Sequence, residues 1–291
     1  MALHVPFTKI EGAQNDFIVI DNRELFFPRE SMKAFSALAC HRRKGIGADG
    51  VIFIDPHVSL DFTMLFFNPD GSDGSMCGNG GRCAALFAVQ HQLAGKRQAF
   101  EVLGMQYNAE IHDGTIRIYF PPPKKLRFSF SLNVFDQRII THYAHVGAPH
   151  AMIFIGDIVE PLVTSLEALN VDAWGRAVRT HPEFQPEGVN ANFLSIDAEG
   201  IVQLRTFEKG VEAETEACGT GTIASALTAH VVKGLQPPIN LRTHGGDVLT
   251  VGFDIMDETV QNLFLEGPAR EVFSGSILYD PIAQSISPPM K

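Results

Sequence analysis

Basic residues are scarce in this 291-residue sequence, which has 23 Lys and Arg against 33 Asp and Glu. The formal net charge is −10 and the pI is near 5.5, which argues against a basic surface that neutralises nucleic-acid phosphates. The sequence also lacks an apolar run approaching the roughly 20 residues of a membrane span. Residues Met1 to Pro6 lack the basic and apolar segments of a signal peptide. We therefore expect no nucleic-acid partner, no membrane and no secretory route.

Cysteine is scarce as well, with four residues in the whole chain. Without a secretory signal, so few cysteines favour a reducing, cytoplasmic setting. The spacing of Cys77 and Cys83 is not one that zinc sites use. The glycine-rich segment 45–50 lacks the pattern of a phosphate-binding P-loop. We expect no metal and no cofactor. The apolar content of 45% and charged content of 19% are typical of a packed globular chain.

The most informative feature is a segment that occurs twice. Cys77-Gly78-Asn79-Gly80 and Cys218-Gly219-Thr220-Gly221 share a Cys-Gly-x-Gly motif, and each precedes an alanine-rich helical pattern. The cysteines are 141 residues apart, the difference between positions 77 and 218, and six residue types coincide at this offset. A single repeat at half the chain length predicts two similar domains that face each other.

The motif has a clear electrostatic meaning at the start of a helix. The first N–H groups of a helix have no partner inside it, and glycine lets another molecule approach the backbone closely. The positive end of the helix favours an anion and also favours thiolate over thiol. Its contribution is about 0.3–1 kcal/mol, or up to about 2 kcal/mol when partly buried. Two such motifs predict a bound carboxylate with one cysteine on each side.

Periodicity and turn residues predict the main elements. The predicted helices are Arg29–Arg43, Gly78–Ala94, a short one near Asp172–His181, and Gly219–Lys233. The predicted strands lie within Phe7–Asp21, Val51–Ile54, Phe62–Phe67, a hairpin in 100–120, Val134–Ile140, Tyr143–Ile155, Val189–Phe193, Val202–Phe207 and near Asn262–Gly267. Pro121-Pro122-Pro123 is the expected domain boundary. The predicted domains are residues 1–122, with a C-terminal segment at about 276–291 returning to them, and 123–275.

Several motifs resemble those of the diaminopimelate epimerases, members of the cofactor-independent amino-acid racemase superfamily. They extend over nearly the whole chain: Gln14-Asn15-Asp16-Phe17, Gly45-Ile46-Gly47-Ala48-Asp49, Asn68-x-Asp70-Gly71-Ser72, Met76-Cys77-Gly78-Asn79-Gly80-x-Arg82-Cys83, Pro149-His150, Val189-Asn190-x-x-Phe193, Glu208-x-Gly210 and Ala217-Cys218-Gly219-Thr220-Gly221. Asn79 is informative, because the related proline racemases place His after the Cys-Gly. The phenazine-type isomerases of the same fold lack the cysteine pair.

The resemblance implies an α+β fold of two pseudo-symmetric domains. Each would be a curved, mostly antiparallel β-sheet or barrel wrapped around a central α-helix, with the active site in the cleft between them. It also implies an isomerase that interconverts LL- and meso-diaminopimelate without pyridoxal phosphate, in lysine and peptidoglycan precursor biosynthesis. Members of the family are usually homodimers.

The resemblance assigns roles to individual residues as well. Cys77 and Cys218 would be the catalytic acid and base, and they would exchange roles between the two reaction directions. Backbone amides of the two helix starts would stabilise the carbanion; they belong to Gly78, Asn79, Gly219 and Thr220. Two side chains would orient the reacting amine and tune the thiols, His150 and Glu208. The remaining substrate contacts would come from Asn15, Asn68, Asn190 and Lys209. We expect Cys40 and Cys83 to be structural.

Three positions depart from the commonest family pattern. Ala148 stands where many members have Asn, Lys209 where an Arg is usual, and Gly50 where some have Gln. The segment from Glu208 to Cys218 is one residue longer than the common form. These departures leave open an epimerase or racemase of another amino acid. A thiol redox protein and a non-catalytic binding protein are alternatives from other classes, although 141 residues between the cysteines and the absence of Cys-x-x-Cys disfavour the first.

Overall fold

Two compact units make up the chain in the computed structural model, which describes residues 2–158 and 165–288. Unit 1 comprises the residues up to 118 and those from 267 onward, and unit 2 comprises residues 119–266. The domain boundaries expected from the sequence, at 122/123 and 275/276, differ from these limits by four and nine residues. Within the described ranges the α-helices are α1 Arg29–Cys40, α2 Gly78–Gln90, α3 Val171–Arg179 and α4 Gly219–Lys233.

Unit 1 surrounds α2 with strands. Ten of the 13 residues of α2 are buried, and a helix buried on all faces must be enclosed rather than laid on a surface. The strands of this unit are β1 Leu3–Gly12, β2 Asn15–Asp21, β3 Gly50–Asp55, β4 Phe62–Phe67, β5 Arg97–Val102, β6 Met105–Ile111, β7 Ile116–Tyr119, β17 Arg270–Asp280 and β18 Ser285–Ser287. The pairs β1–β2, β1–β17, β3–β4, β5–β6 and β17–β18 are antiparallel, and β2–β3 and β4–β5 are parallel.

Unit 2 repeats this plan around α4, in which ten of 15 residues are buried. Its strands are β8 Lys125–Val134, β9 Gln137–Val146, β10 Ala148–Phe154, β11 Asn190–Ile196, β12 Val202–Glu208, β13 Ala213–Thr215, β14 Ile239–Arg242, β15 Val248–Met256 and β16 Thr259–Gly267. Here β10–β11 and β12–β14 are parallel, and β8–β9, β9–β10, β11–β12, β12–β13, β14–β15 and β15–β16 are antiparallel. The predicted α+β class, with mostly antiparallel strands around one helix in each unit, is confirmed.

Separate apolar clusters stabilise the two units. In unit 1, α1 packs through Phe35 against Phe27, Phe53 and Tyr279, so the returning β17 is part of the core. In unit 2, α3 contributes Trp174 to a cluster with strands β9 to β12. The predicted structural cysteines are confirmed as core residues, with Cys40 at 3% and Cys83 at 0% exposure.

Several predicted element limits were wrong. The helix expected to reach Ala94 ends at Gln90, because Gln92 adopts a positive φ of 57° and the Leu93 amide turns back to the Ala88 carbonyl. The strand predicted over Val134–Ile140 is in fact a hairpin whose turn, Phe135-Asp136, has positive φ at both residues.

Other differences concern short strands. The predicted strand segment Tyr143–Ile155 is divided at Gly147 between β9 and β10, and Pro149 and His150 lie inside β10. The strand β13 was not predicted, and β18 lies in the C-terminal segment that was expected to return to the first domain. The final residues of that segment, Pro289, Met290 and Lys291, lie outside the described residues. Across the described ranges, every helix is too short or too polar to cross a membrane.

Candidate active site

Cys77 caps the start of α2 in unit 1. Its backbone is extended, with φ −105° and ψ 120°, and its Sγ accepts a hydrogen bond from the Gly80 amide at 3.5 Å. The Gly81 amide begins the helical pattern by donating to the Cys77 carbonyl. The Gly78 and Asn79 amides precede that point, so the helix offers them no acceptor. The half-buried thiol therefore lies at the positive end of a helix, as the motif predicted.

Two amide side chains surround the Cys77 thiol. Asn15 donates from Nδ2 to Asp49 Oδ2 at 2.8 Å, so its Oδ1 faces Cys77 Sγ at 3.7 Å and Asn79 Nδ2 at 3.4 Å. Asn79 in turn accepts at Oδ1 from Arg82 Nη2 at 2.9 Å. Because Asp49 can only accept, the oxygen of Asn15 is the atom presented to the thiol.

Asn15 is held by Asp49, which belongs to a cluster of charged side chains. Arg42 binds both Asp16, at 3.0 Å, and Asp49, at 2.5 Å, and Lys9 lies 2.9 Å from Asp16. Burial opposes ionisation of Asp16, but hydrogen bonds from Arg42 and Lys9 outweigh it and lower its pKa. Asp49 is held by Arg42 and in turn holds Asn15, so this hydrogen-bond network keeps the amide of Asn15 in one orientation.

Arg82, in the first turns of α2, is fully buried. It donates to the carbonyls of Pro268 and Gly78 and to the side chain of Asn79. Asn68 lies in the turn after β4 and donates from Nδ2 to Ser72 Oγ at 3.0 Å. The structure thus brings Asn15 and Asn79 to Cys77, while Asn68 pairs within its own turn.

Cys218 caps the start of α4 in unit 2 in a similar backbone conformation, with φ −126° and ψ 109°. The Thr222 amide donates to its carbonyl at 2.9 Å, so the Gly219 and Thr220 amides stand where the helix provides no acceptor. The Sγ of Cys218 is 3.7 Å from Thr220 Oγ1. The side chain is 7% exposed.

His150 lies directly behind Thr220. It is fully buried in β10, with Nε2 2.9 Å from Thr220 Oγ1 and Nδ1 3.2 Å from Asn192 Nδ2. Burial lowers the pKa of His150 from 6.5 to about 3, and the neighbouring His145 adds to the effect. The imidazole is therefore neutral near pH 7, and it can act as a hydrogen-bond donor or acceptor but not as a cation.

Asn192 is the residue that the sequence analysis missed. It is completely buried in β11 and makes contacts with His150, Thr206, and the carbonyls of Ala151 and Asn190. Side chains two apart on a strand point to the same face, so its relation to Asn190 could have revealed it. It was instead treated as a variable position of the Val-Asn-x-x-Phe motif.

Asn190 links β11 to the end of β12. Its Oδ1 accepts from the Lys209 amide at 2.8 Å, and its Nδ2 donates to the Pro149 carbonyl at 3.1 Å. The ammonium of Lys209 bonds to the Glu187 carbonyl at 3.1 Å. Asn190 is thus held through both ends of its amide, and Lys209 is tied to the segment before β11.

Glu208 ends β12 and accepts from the Thr215 hydroxyl at 3.1 Å. Burial raises its pKa, although the Thr215 hydrogen bond partly offsets this effect. Two acidic residues of the segment that follows form ion pairs. Glu214 binds Arg205 through both oxygens at 2.6 Å, and Glu212 binds Arg179 at 2.9 Å.

One departure from the family pattern, Ala148, removes a possible hydrogen-bonding side chain from the start of β10. Ala148 begins β10, two residues before His150, and offers no side-chain hydrogen bond.

In the described part of the chain, no three His, Cys, Asp or Glu side chains converge as a metal ligand set would. All four cysteines are thiols rather than disulfides. The chemistry present at each helix start is a thiol, free first-turn amides and neutral hydrogen-bonding side chains.

A profile of the family described as Diaminopimelate epimerase matches residues 7–124 and 142–271. The chain belongs to the diaminopimelate epimerase family. It is 40% identical over 275 residues to a protein of Chlorobaculum tepidum named diaminopimelate epimerase, covering 92% of this chain and 99% of that one. A protein of the same name from Aquifex aeolicus is 38% identical, with coverage of 93% and 97%.

Solved structures support the fold assignment. A phenazine biosynthesis protein of the PhzF family from Bacillus anthracis superposes with a TM-score of 0.73 at 12% identity, covering 94% of this chain and 99% of that one. At this identity the similarity concerns the fold alone. Membership of the epimerase family rests on the sequence matches.

Proposed function

We propose that the protein is a diaminopimelate epimerase, an isomerase that interconverts LL- and meso-2,6-diaminopimelate without a cofactor. The observation that carries the proposal is that Cys77 and Cys218 each cap a buried helix that begins Cys-Gly-x-Gly. The names of the relatives supply the substrate. The proposed pathway role is the formation of lysine and peptidoglycan precursors.

Inversion of a stereocentre requires removal of a proton from one face of the carbon and delivery of a proton to the other. Two cysteines perform both tasks when one is a thiolate and the other a thiol. Each thiol lies at a helix start, where the partial positive charge favours the thiolate form. The thiol and thiolate forms of each cysteine are then close enough in free energy for Cys77 and Cys218 to exchange the roles of acid and base between the two reaction directions.

The α-carbon is a far weaker acid than a thiol, so stabilisation of the carbanion must supply most of the rate. In the proposal this comes from the first-turn amides of both helices, at Gly78, Asn79, Gly219 and Thr220. A substrate carboxylate that accepts these hydrogen bonds would share the negative charge as the proton leaves. The neutral state of His150 suits a residue that positions its neighbours by hydrogen bonds rather than a counter-ion.

The remaining proposed contacts orient the rest of the substrate. Glu208, with its raised pKa, would hold the reacting amine, and the amides of Asn15, Asn68 and Asn190 would bind polar groups. Lys209 would provide positive charge for the distal carboxylate, without the two-pronged geometry of an arginine.

A different amino-acid substrate is the second candidate. Ala148 cannot form the side-chain hydrogen bond that Asn would form, and Lys209 replaces a guanidinium with a single charged point. Both changes concern substrate recognition, and neither alters the two thiols. The reaction class would be the same under this alternative.

The direct test is proton NMR of LL-diaminopimelate with the reduced protein in D2O. The proposal predicts loss of the α-proton signal and appearance of the meso form with no added cofactor. Exchange on another amino acid in a panel, but not on diaminopimelate, would overturn the substrate. Absence of exchange on every member, with all four thiols titrating as reduced, would overturn the reaction.

Cysteine variants test which thiols react. Cys77→Ala and Cys218→Ala should each abolish inversion, because each removes the acid or base that the proposal assigns to one face of the carbon. Cys40→Ala is the matched control, since burial raises the pKa of Cys40 to about 12 and keeps it a thiol. Near-normal turnover of either active-site variant would refute the two-thiol mechanism.

The cellular setting is also a proposal. Two catalytic thiols require a reducing compartment, which favours the cytoplasm. The resemblance to the family further suggests a homodimer, which light scattering on the purified protein would test. A monomer at micromolar concentration would contradict that expectation.

A further inference from the structure

The hydrogen bonds around Asn192 have a defined direction. Its Oδ1 accepts from the Thr206 hydroxyl at 3.0 Å, and its Nδ2 lies 3.0 Å from the Ala151 carbonyl, 3.4 Å from the Asn190 carbonyl and 3.2 Å from His150 Nδ1. Exchanging the oxygen and nitrogen would place an oxygen against two carbonyls, which can only accept. The amide nitrogen therefore faces His150.

This direction determines the tautomer of His150. The nitrogen of Asn192 can only donate, so Nδ1 of His150 is the accepting, unprotonated nitrogen. In a neutral imidazole the proton is then on Nε2. The Nε2–H donates to Thr220 Oγ1, 2.9 Å away. The hydroxyl hydrogen of Thr220 is not used in this bond and can be donated to another acceptor. Cys218 Sγ lies 3.7 Å from Thr220 Oγ1.

We propose that Asn192 is a positioning residue that acts through His150 and Thr220 to make Cys218 the resting thiolate of the catalytic pair. The inference rests on the proposed two-thiol reaction and specifies which thiol starts as the base. A hydroxyl that donates to sulfur stabilises the thiolate, since the charged acceptor gains more from the bond than the neutral one.

The side chain of Asn15 favours the protonated thiol form of Cys77 rather than the thiolate. Asn15 presents its Oδ1 to Cys77 Sγ at 3.7 Å, because its nitrogen is bound to Asp49. An oxygen that can only accept favours the protonated thiol, which donates to it. Helix starts favour thiolate at both positions, and the Gly80 amide also donates to Cys77 Sγ at 3.5 Å. In the proposal, the contacts of Asn15 and Thr220 decide between the two cysteines.

The test follows the Cys218 thiolate directly, by its ultraviolet absorbance in a pH titration of the full-length Cys77→Ala protein. Burial keeps Cys40 and Cys83 silent, because it raises the pKa of each well above the titration range. Asn192→Leu should lower the thiolate population of Cys218 at neutral pH about tenfold, the size expected for one hydrogen bond to a charged group.

Without the Asn192 donor, His150 is free to carry its proton on Nδ1. Thr220 would then donate to Nε2 and turn its oxygen lone pairs toward the sulfur. Thr220→Val should therefore produce the same loss as Asn192→Leu, Thr220→Ser should restore the wild-type titration, and the double variant should lose no more than either single one. Thr220 is only half-buried, so its variants test the idea even if Asn192→Leu does not fold.

Thr228→Val is the matched control, since Thr228 lies in the same helix and bonds only to the Ala224 carbonyl in the hydrogen bonds described. An unchanged Cys218 titration in Asn192→Leu or Thr220→Val, additive losses in the double variant, or an equal shift in Thr228→Val would overturn the proposal. In the protein with Cys77 intact, Asn192→Leu should lower kcat and leave KM nearly constant. The titration needs no substrate, so it decides this inference even if diaminopimelate proves not to react.

Discussion

Gly80 and Gly221 occupy equivalent positions of the repeat, yet the same substitution should affect them differently. An added Cβ at Gly221 would lie 2.5 Å from Asn192 Oδ1 and 3.3 Å from Cys218 Sγ. At Gly80 the nearest atoms would be Met64 Cε at 3.2 Å and Ile52 Cδ1 at 3.3 Å. The first clash is with a buried, hydrogen-bonded amide, and the second is with the flexible ends of two apolar side chains.

The energetic terms can be compared position by position. Replacing Gly with Ala inside a helix gains about 1 kcal/mol from helix propensity. Overpacking costs about 1–3 kcal/mol, and displacing Asn192 loses hydrogen bonds at about 1 kcal/mol each. Gly221→Ala should therefore destabilise unit 2 by about 2 kcal/mol, as a net of roughly 3 kcal/mol lost and 1 kcal/mol gained. Gly80→Ala should be neutral to within about 1 kcal/mol.

Denaturant unfolding measures both effects. The chain contains one tryptophan, Trp174, which lies in α3 of unit 2, so its fluorescence follows the unit that contains Gly221. Circular dichroism follows both units and reports Gly80→Ala. An unchanged midpoint for Gly221→Ala would show that Asn192 moves without cost, which would refute the argument that its amide is held in one orientation.

Two further predictions concern buried polar groups. Burial holds the pKa of His150 at about 3 against an ordinary 6.5, so between these values the unfolded chain binds a proton that the folded chain does not. Stability should fall as the pH drops through this window, and His150→Gln should flatten that part of the stability curve; an identical pH dependence in the variant would contradict the assignment. Arg82→Met should destabilise unit 1 by about 3 kcal/mol, because the carbonyls of Gly78 and Pro268 lose a buried donor; unchanged hydrogen exchange in β1 and α2 would rule this out.

Local features made the helix starts predictable from sequence. The alanine-rich segments after each Cys-Gly-x-Gly favour helix, and both helices begin directly after the cysteine. The end of α4 was equally clear, because Gly234 takes a left-handed φ of 73° immediately after Lys233. The repeat itself predicted two similar domains, and the resemblance to the family predicted that each would enclose its helix.

Features that depend on long-range register were not predictable. Asn192 reaches His150 and Thr206 only because β11 pairs in parallel with β10 and antiparallel with β12. The burial of Arg82 depends on Pro268, which lies 186 residues away in the chain. The turn at Phe135-Asp136 lacks the glycine that usually marks positive φ, so its sequence resembles a continuing strand.

The central claim is that two thiols, one on each face of the substrate carbon, perform the inversion. Its most direct test is the position of deuterium in the first turnovers of LL-diaminopimelate in D2O. With Cys77 and Cys218 as separate acid and base, deuterium should enter the meso product while the remaining LL substrate keeps its α-proton. Equal early labelling of substrate and product would mean that one group removes and returns the proton, which would contradict the two-thiol account.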